Sequence, residues 1–120
     1  MSSPSARNER AADLAARRRD AMARVEWLRG ELGAVRSARS ENSEDDEHDP
    51  EGATMSQLWS QSSGLLEGAE RDLAEIDAAL VRLGTGDYGI CRSCGRPIDP
   101  ARLDARPTAA LCIECARRAS

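Results

Sequence analysis

The chain has 120 residues and a formal net charge of -4, with no phenylalanine, one tyrosine and two tryptophans. So few aromatic residues in so short a chain exclude a large globular core. No apolar run approaches the roughly 18 residues that a membrane-spanning helix needs. Alanine, leucine, arginine and glutamate dominate the first two thirds, which is typical of long helices that bury a narrow apolar seam.

The first apolar seam begins at about Asn8, after a small, polar segment, residues 1–7, that we expect to fray. Its apolar residues recur at alternating steps of three and four, the heptad spacing of a helix packed along a partner helix. Arg18 interrupts it, and its long stem can lie along the seam while the guanidinium reaches solvent or a carboxylate on the partner helix. The seam consists of Ala11, Leu14, Arg18, Ala21, Val25, Leu28, Leu32 and Val35.

Residues 41–54 interrupt the helical pattern, and Pro50 excludes a helix running straight through them. Residues 41–51 hold seven carboxylates and no arginine, so the negative charge of the chain is concentrated here. Such a run is often only a solvated linker, but its position between two matching seams favours an acidic tip. We interpret His48, the only histidine, as a solvated loop residue; a weak metal ligand or a pH-sensitive contact are the alternatives.

A second seam with the same spacing ends before Gly84 and Gly86, which are helix stop signals. Leu58 and Leu65 are expected to broaden it. Two helices of about thirty residues each, joined by a loop of about a dozen residues, are expected to fold back as an antiparallel coiled-coil hairpin over residues 8–85. Pairing with a second chain is the alternative, and we expect a monomer. The seam consists of Met55, Trp59, Ser62, Leu66, Ala69, Leu73, Ile76, Leu80 and Leu83.

Pairing the two seams about the loop predicts which ends of the helices meet. It sets Trp59 near Leu32 and Val35. It also sets Leu80 and Leu83 at the other end of the hairpin, near Ala11 and Leu14.

Residues 86–120 carry all four cysteines as two CxxC pairs separated by seventeen residues. This spacing is typical of a closed four-thiolate site for one structural zinc ion, which has no open position for a reactive water, so we expect no enzyme. Two disulfides would need an oxidising compartment, and no secretory segment is evident. A redox dithiol would need only one pair. The predicted ligands are Cys91, Cys94, Cys112 and Cys115.

The segment around the cysteines predicts a small finger. Gly95 suits a turn with positive φ, and Asp99 reads as the N-cap of a short helix with Pro100 at its first position. A short terminal helix is expected over residues 116–120. The metal is expected to supply most of the stability, and the sizeable apolar side chains available to pack around it are Tyr88, Ile98, Leu103 and Leu111.

Residues 82–115 resemble the signature of the DksA/TraR family of zinc-containing bacterial transcription factors. The matching features are Gly86, Tyr88 and Gly89 before the first cysteine pair, then CxxCG, Ile98, Arg102-Leu103, Arg106-Pro107-Thr108 and CIEC. With the hairpin ahead of it, the resemblance extends in architecture to most of the chain. The expected fold is therefore mainly α: a long antiparallel coiled-coil hairpin followed by a four-cysteine zinc finger with a short C-terminal helix.

This resemblance implies a cytoplasmic protein that binds RNA polymerase and inserts its coiled coil into the secondary channel, without binding DNA specifically. It would place an acidic tip near the catalytic magnesium. The family's tip pattern is Asp-x-x-Asp-x-Ala followed by Ser or Thr, and this sequence fits it only in part. If Ala53-Thr54 is taken as the end of the pattern, His48 and Glu51 fall at the two acidic positions. If Asp46 and Asp49 are taken as the two acids, Glu51 falls at the alanine position. The candidate contacts are Asp45, Asp46, Glu47, Asp49, Glu51, Ala53 and Thr54.

The family's response to ppGpp involves basic residues near the finger and on a long helix after it. The sequence continues for five residues after Cys115, where Arg117 and Arg118 could partly substitute, so we expect weak or absent dependence on ppGpp.

Two other kinds of binding protein compete with this reading. A DNA-binding zinc ribbon needs a dense basic face, yet residues 86–120 hold only six arginines against four carboxylates. A coiled-coil adaptor would need the seams but neither the acidic tip nor the cysteine signature.

Overall fold

The computed structural model describes residues 4–42 and 50–119, with side chains at 5–38 and 54–119. Helix α1 spans Pro4–Asn42, α2 Pro50–Thr85, α3 Pro100–Ala105 and α4 Ile113–Ala119. The expected architecture, a long helical pair followed by a four-cysteine finger with a short last helix, is confirmed. Within the described ranges no helix has the length and apolar character needed to cross a membrane.

Both long helices extend beyond the apolar seams that predicted them. α1 begins at Pro4 instead of Asn8, and α2 begins at Pro50 instead of Met55, so helical backbone occupies both ends of the predicted loop 41–54. Proline is favoured in the first turn of a helix, where its missing N–H would have no partner. An apolar seam marks only where a helix meets its neighbour, whereas polar residues with good helix propensity continue the helix past that contact.

The end of α2 is fixed by a glycine, as the sequence predicts. Gly86 has a φ of 85°. The Asp87 and Tyr88 backbone N–H groups both donate to the Arg82 carbonyl, at 2.9 and 3.1 Å. The Asp87 bond is the six-to-one hydrogen bond of a Schellman C-cap, in which a residue with positive φ closes the last turn.

The chain forms two compact units, and each long helix contributes to both: one contains Met1–Arg19 and Ala74–Ser120, the other Asp20–Leu73. In the second unit, Val25 and Leu28 of α1 are buried with Ala69 of α2, and Leu66 and Leu73 pack against them. The Arg36 guanidinium lies 5.2 Å from the centre of the Trp59 ring, so the C-terminal part of α1 contacts the N-terminal part of α2. The two helices therefore run antiparallel in this unit, close to the predicted register.

The first unit repeats the antiparallel arrangement. Leu14 is completely buried on α1, as is Ala79 on α2. Arg7 donates to the Leu83 carbonyl at 3.2 Å. The Arg18 Nε donates to Asp77 Oδ1 at 2.6 Å, which confirms that the head of this seam residue reaches a carboxylate on the partner helix.

Every predicted seam position is buried or half-buried, but the flanks of the second seam differ from expectation. Leu58 and Leu65 are each 45% exposed, so the expectation that they broaden the seam is wrong. Ala79, which was not assigned to the seam, has no exposed surface. A heptad pattern does not say how far to either side of the seam the partner helix reaches, and a small side chain allows the closest approach.

The contrast between Leu28, which is 2% exposed, and Leu65, which is 45% exposed, gives a paired test of the helix contact. We expect Leu28→Ala to lower the free energy of unfolding by about 2–4 kcal/mol, because it leaves a cavity in the seam. Leu65→Ala, the matched control, should cost less than about 1 kcal/mol. Urea denaturation followed by circular dichroism at 222 nm measures both, and equal losses would contradict this packing.

Candidate metal centre

The first cysteine pair is held by a tight backbone loop after α2. The Ile98 N–H donates to the Gly89 carbonyl at 2.7 Å and the Cys91 N–H to the Arg96 carbonyl at 2.8 Å, so this segment folds back on itself. The Gly95 N–H closes the turn on the Cys91 carbonyl at 2.9 Å. Gly95 has a φ of 76°, which a side chain would strain, so its predicted role in the turn is confirmed.

The second cysteine pair lies at the start of α4. This helix begins at Ile113, three residues before the predicted start at Ala116, and the Ala116 N–H donates to the Cys112 carbonyl at 2.9 Å. Cys115 therefore lies in the first turn of the helix. The short helix α3 precedes this pair, and its predicted N-cap is confirmed, since Asp99 accepts from the Ala101 N–H at 2.9 Å.

These two elements bring all four predicted ligands together. The sulfurs of Cys91, Cys94, Cys112 and Cys115 all lie within 4.8 Å of one another. The Cys94 and Cys112 sulfurs are 3.9 Å apart. A tetrahedron of sulfurs at 2.3 Å from zinc has edges of about 3.8 Å, so this donor set fits one zinc ion. Zinc bound here is structural, because four sulfurs complete its coordination.

The pKa values of two of the four thiols indicate why a cation is needed at the centre of the cluster. Hydrogen bonds from the backbone of Cys94 and Cys112 lower the pKa of Cys91 to about 6, so its thiolate is favoured. A side-chain hydrogen bond with Cys112 raises the pKa of Cys115 to about 12, so its protonated thiol is favoured. Four thiolates can share this space only when a cation lies between them.

The packing around the sulfurs is a small apolar cluster. Ile98, Leu103 and Ala109 are buried together with Cys91 and Cys115. Tyr88 and Leu111 pack against this cluster, so all four apolar side chains expected around the metal are confirmed there. Ala109 was not predicted, because an alanine in a loop gives no burial signal in the sequence.

Three side chains hold the loop that leads to the second cysteine pair by donating to its carbonyls. The Tyr88 hydroxyl donates to Pro107 O at 2.8 Å. Arg82 donates to Thr108 O at 3.2 Å and Arg102 to Leu111 O at 2.9 Å. Sequence reasoning missed both arginines in this role, since nothing distinguishes them among seventeen.

Helix α1 also contacts the finger within the first unit. Arg10 donates to the Leu103 carbonyl at 3.3 Å and to Asp104 Oδ1 at 2.9 Å. Asp104 is largely exposed, so the ion pair itself contributes little, and the bond to the backbone fixes the position of α3. No local sequence pattern indicates this contact, which joins residues 94 positions apart.

Most of the predicted acidic tip lies outside the described residues. This holds for Asp45, Asp46, Glu47 and Asp49, and for His48. Glu51 and Ala53 belong to the backbone of α2, and Thr54 is exposed in its second turn. The tip assignment therefore stays a prediction.

The fold and the metal centre define a helical-hairpin protein with a C4 zinc finger, and comparison with known proteins identifies the family. Residues 86–120 match the family model described as prokaryotic dksA/traR C4-type zinc finger. The RNA polymerase-binding transcription factor DksA of Haemophilus influenzae is 51% identical over 43 residues, which are 36% of this chain and 30% of that protein. The Caulobacter vibrioides protein of the same name is 42% identical over 64 residues.

The Caulobacter match covers 49% of this chain and 45% of the relative, so the chain spans less than half the length of these curated relatives. A solved structure gives a longer match. Transcription factor DksA2 from Pseudomonas aeruginosa is 35% identical with a TM-score of 0.76, covering 93% of this chain and 81% of the other. The chain belongs to the DksA/TraR family of C4 zinc finger proteins.

Metal analysis tests the centre directly. We expect one zinc ion per chain, and Cys94→Ser should lower zinc affinity strongly, because structural sites of this kind contribute roughly 10–16 kcal/mol of binding free energy. Zinc content measures metal binding, and the near-ultraviolet circular dichroism of the chain, to which Tyr88 and the two tryptophans contribute, measures the change in aromatic packing when the metal is lost. Chelation of the unsubstituted chain is the control and should reproduce the variant's spectrum; a spectrum unchanged by chelation would contradict a metal-dependent finger.

Tyr88, the only tyrosine, reports on packing beside the cluster. Burial raises the pKa of its phenol above the ordinary value of 10.0, although Arg10 and Arg82 act in the opposite direction. A raised folded-state pKa means that this contribution to stability is fully present below pH 10 and is lost as the pH rises through the folded value. Titration of tyrosinate absorbance at 295 nm should give a higher pKa in the folded chain than in chelated, denatured chain, and equal values would refute this packing.

Proposed function

We propose that the chain is a transcription regulator that binds RNA polymerase directly and inserts its helical hairpin into the secondary channel. The acidic run of residues 41–51, called the acidic linker below, would then lie near the active centre. In this proposal the chain acts in the cytoplasm, catalyses no reaction and does not bind specific DNA sequences. Family membership is the observation that carries the proposal, since the curated relatives are named RNA polymerase-binding transcription factors.

The distribution of charge supports the same mode of binding. The acidic run of residues 41–51 covers the end of α1, the first residues of α2 and the part of the sequence between them. Carboxylates there suit a basic channel that ends at a metal ion, because complementary fields speed and orient association. A linker that is only solvated could carry the same carboxylates anywhere in the sequence, so their position between the two long helices supports the proposed contact.

We further propose that each of the four cysteines is a zinc ligand, so the metal acts as a structural cofactor at the base of the hairpin helices. The acidic linker would then supply the polymerase contacts near the active centre. The tip residues in this proposal are Asp45, Asp46, Glu47, Asp49, Glu51, Ala53 and Thr54.

A DNA-binding zinc ribbon is the weaker alternative. Residues 86–120 have an excess of only two arginines over carboxylates, and four thiolates on Zn²⁺ add two negative charges. Phosphate neutralisation dominates protein–DNA affinity, so a finger with this balance is poorly suited to a duplex. A coiled-coil adaptor without polymerase binding is the other alternative.

Neutralising the linker separates these functions. We expect the variant with Asn or Gln at Asp45, Asp46, Glu47, Asp49 and Glu51 to lose its effect on promoter-complex lifetime in vitro while it still binds core polymerase. The control carries the same number of charge changes at exposed helix positions, Asp20, Glu26, Glu67, Asp72 and Glu75, and should retain the effect. We expect little or no change when ppGpp is added.

Crosslinking locates the contact. A photoactivatable probe at Ser43 or Thr54 should label polymerase segments that line the secondary channel. Labelling only on the outer surface of the polymerase would overturn channel insertion, and an equal effect of both sets of charge changes would overturn the role of the linker. A chain that does not bind core polymerase at all would favour the adaptor function.

A further inference from the structure

A cavity of about 590 Å³ lies between the last turns of α2 and the first cysteine loop of the finger, entirely within the first unit. Small-molecule sites in proteins typically have volumes of roughly 300–1,000 Å³, so this cavity is large enough for a ligand. Its charged lining residues are Arg82, Asp87 and Arg92, and its larger aliphatic ones are Val81 and Ile90.

The cavity contains charges of both signs that do not pair with one another. No ion pair joins Asp87 to either arginine within residues 54–119, whose side chains the structure describes. Asp87 accepts instead from the Thr85 hydroxyl at 2.9 Å, and Arg82 donates to the neutral Thr108 carbonyl at 3.2 Å. Opposite charges that line one space without meeting leave room for a ligand that carries both signs and makes charge-assisted hydrogen bonds with each.

The positive side of the cavity suits a carboxylate. Burial lowers the pKa of Arg82, and the positive charge of Arg92 lowers it further, so the two guanidinium groups lie near each other. Among the described residues nothing forms a hydrogen bond or an ion pair with the Arg92 side chain. Arg82 gives one N–H to Thr108 and has further donors left. The fork of guanidinium donors matches the two oxygens of a carboxylate.

Backbone hydrogen bonds fix the charged residues of the cavity independently of any ligand. The Asp87 N–H donates to the Arg82 carbonyl at 2.9 Å in the C-cap of α2. The Arg92 N–H donates to the Ala110 carbonyl at 2.9 Å, which connects the first cysteine loop to the chain just before the second cysteine pair. Groups that are already ordered lose less entropy on binding than groups that must first assemble.

The remaining lining suits an aliphatic side chain. Val81 is 64% exposed and Ile90 is 39% exposed, so apolar surface is available beside the charges. None of the described residues that line the cavity is aromatic. Stacking on aromatic side chains is the usual means of holding a free base, so a nucleotide is a poorer match than a small aliphatic molecule.

A purely local role for the arginines is the alternative. Cys91 also lines the cavity, and four thiolates on Zn²⁺ would carry two negative charges that Arg82 and Arg92 could balance. That role would leave the negative charge of Asp87 in the same cavity without a purpose, and it would not require an exposed Val81.

We propose that this cavity binds a free α-amino acid with an aliphatic side chain, of the size of leucine. The α-carboxylate pairs with Arg92 and Arg82, and the α-ammonium pairs with Asp87. The aliphatic side chain covers Val81 and Ile90. Only a free amino acid carries an ammonium and a carboxylate on the same carbon, so a peptide end or a simple carboxylate would satisfy one charge and not both.

The inference goes beyond the proposed function, because it takes no contact with the polymerase. A ligand in this position connects the end of α2 to the first cysteine loop. Since it binds only the folded finger, it should also stabilise the chain against unfolding.

A set of small probes tests the two charges of the ligand. L-Leucine is titrated into the zinc-loaded full chain while the methyl resonances of Val81 and Ile90 are followed by NMR. We expect isocaproate, which lacks the ammonium, and isoamylamine, which lacks the carboxylate, each to bind about tenfold more weakly, because each leaves a charge of the cavity unpaired. L-Alanine should bind about tenfold more weakly as well, since its side chain covers less apolar surface.

Substitutions test the residues of the cavity. Arg92→Gln and Asp87→Asn should each weaken the binding of L-leucine about tenfold. The asparagine keeps an oxygen that can accept from the Thr85 hydroxyl, so the C-cap is preserved. Arg96→Gln is the matched control, because it neutralises an exposed arginine of the same finger that does not line this cavity, and its affinity should equal that of the unsubstituted chain. Zinc content should stay at one ion per chain in all three variants.

Several outcomes would overturn the site. Methyl resonances of Val81 and Ile90 that do not move at millimolar L-leucine would do so. So would equal binding of L-leucine and isocaproate, since Asp87 would then have no part in recognition. Displacement of L-leucine by an equal concentration of inorganic phosphate would indicate a general anion site. If Arg92→Gln loses zinc while Asp87→Asn binds L-leucine normally, the arginine serves the metal centre.

Discussion

Four sulfurs within 4.8 Å of one another are the constraint on which the C-terminal part of this chain depends. As thiolates they repel, and as thiols they would leave the finger with almost no core. Its buried cluster contains only five residues, and two of them are the cysteines Cys91 and Cys115. A cation at the centre attracts all four thiolates and outweighs their mutual repulsion. One ion therefore stabilises the finger in place of a larger apolar core.

The effect of the metal extends beyond its ligands, because the chain between the two cysteine pairs is bound to the ends of both long helices. Tyr88 and Arg82 connect that loop to the end of α2, and Arg10 connects α1 to the end of α3. The acceptor of each of these hydrogen bonds is a backbone carbonyl. Each bond therefore depends on where the backbone lies and not on which side chain the accepting residue carries. The finger thereby fixes the ends of the two helices within the first unit.

The sequence was most informative where a physical period or a fixed spacing controls the structure. The heptad seams predicted the buried faces of α1 and α2, and the two CxxC pairs predicted the cysteine cluster, because both patterns are set by local geometry. The helix ends at Pro4 and Pro50 were missed, since apolar residues mark contact and polar residues extend a helix without any such mark. Arg10 and Arg82 were missed for a different reason: their partners are backbone carbonyls distant in the chain, which no local pattern records.

Charge is distributed unevenly along this chain of net charge -4. Residues 41–51 gather seven carboxylates and no arginine, whereas residues 86–120 hold six arginines against four carboxylates. Once zinc and four thiolates are counted, the finger is close to neutral, and long-range attraction to nucleic acid is weak. The strongest electrostatic attraction of this chain is therefore toward positive surfaces, and it comes from residues 41–51 and not from the finger.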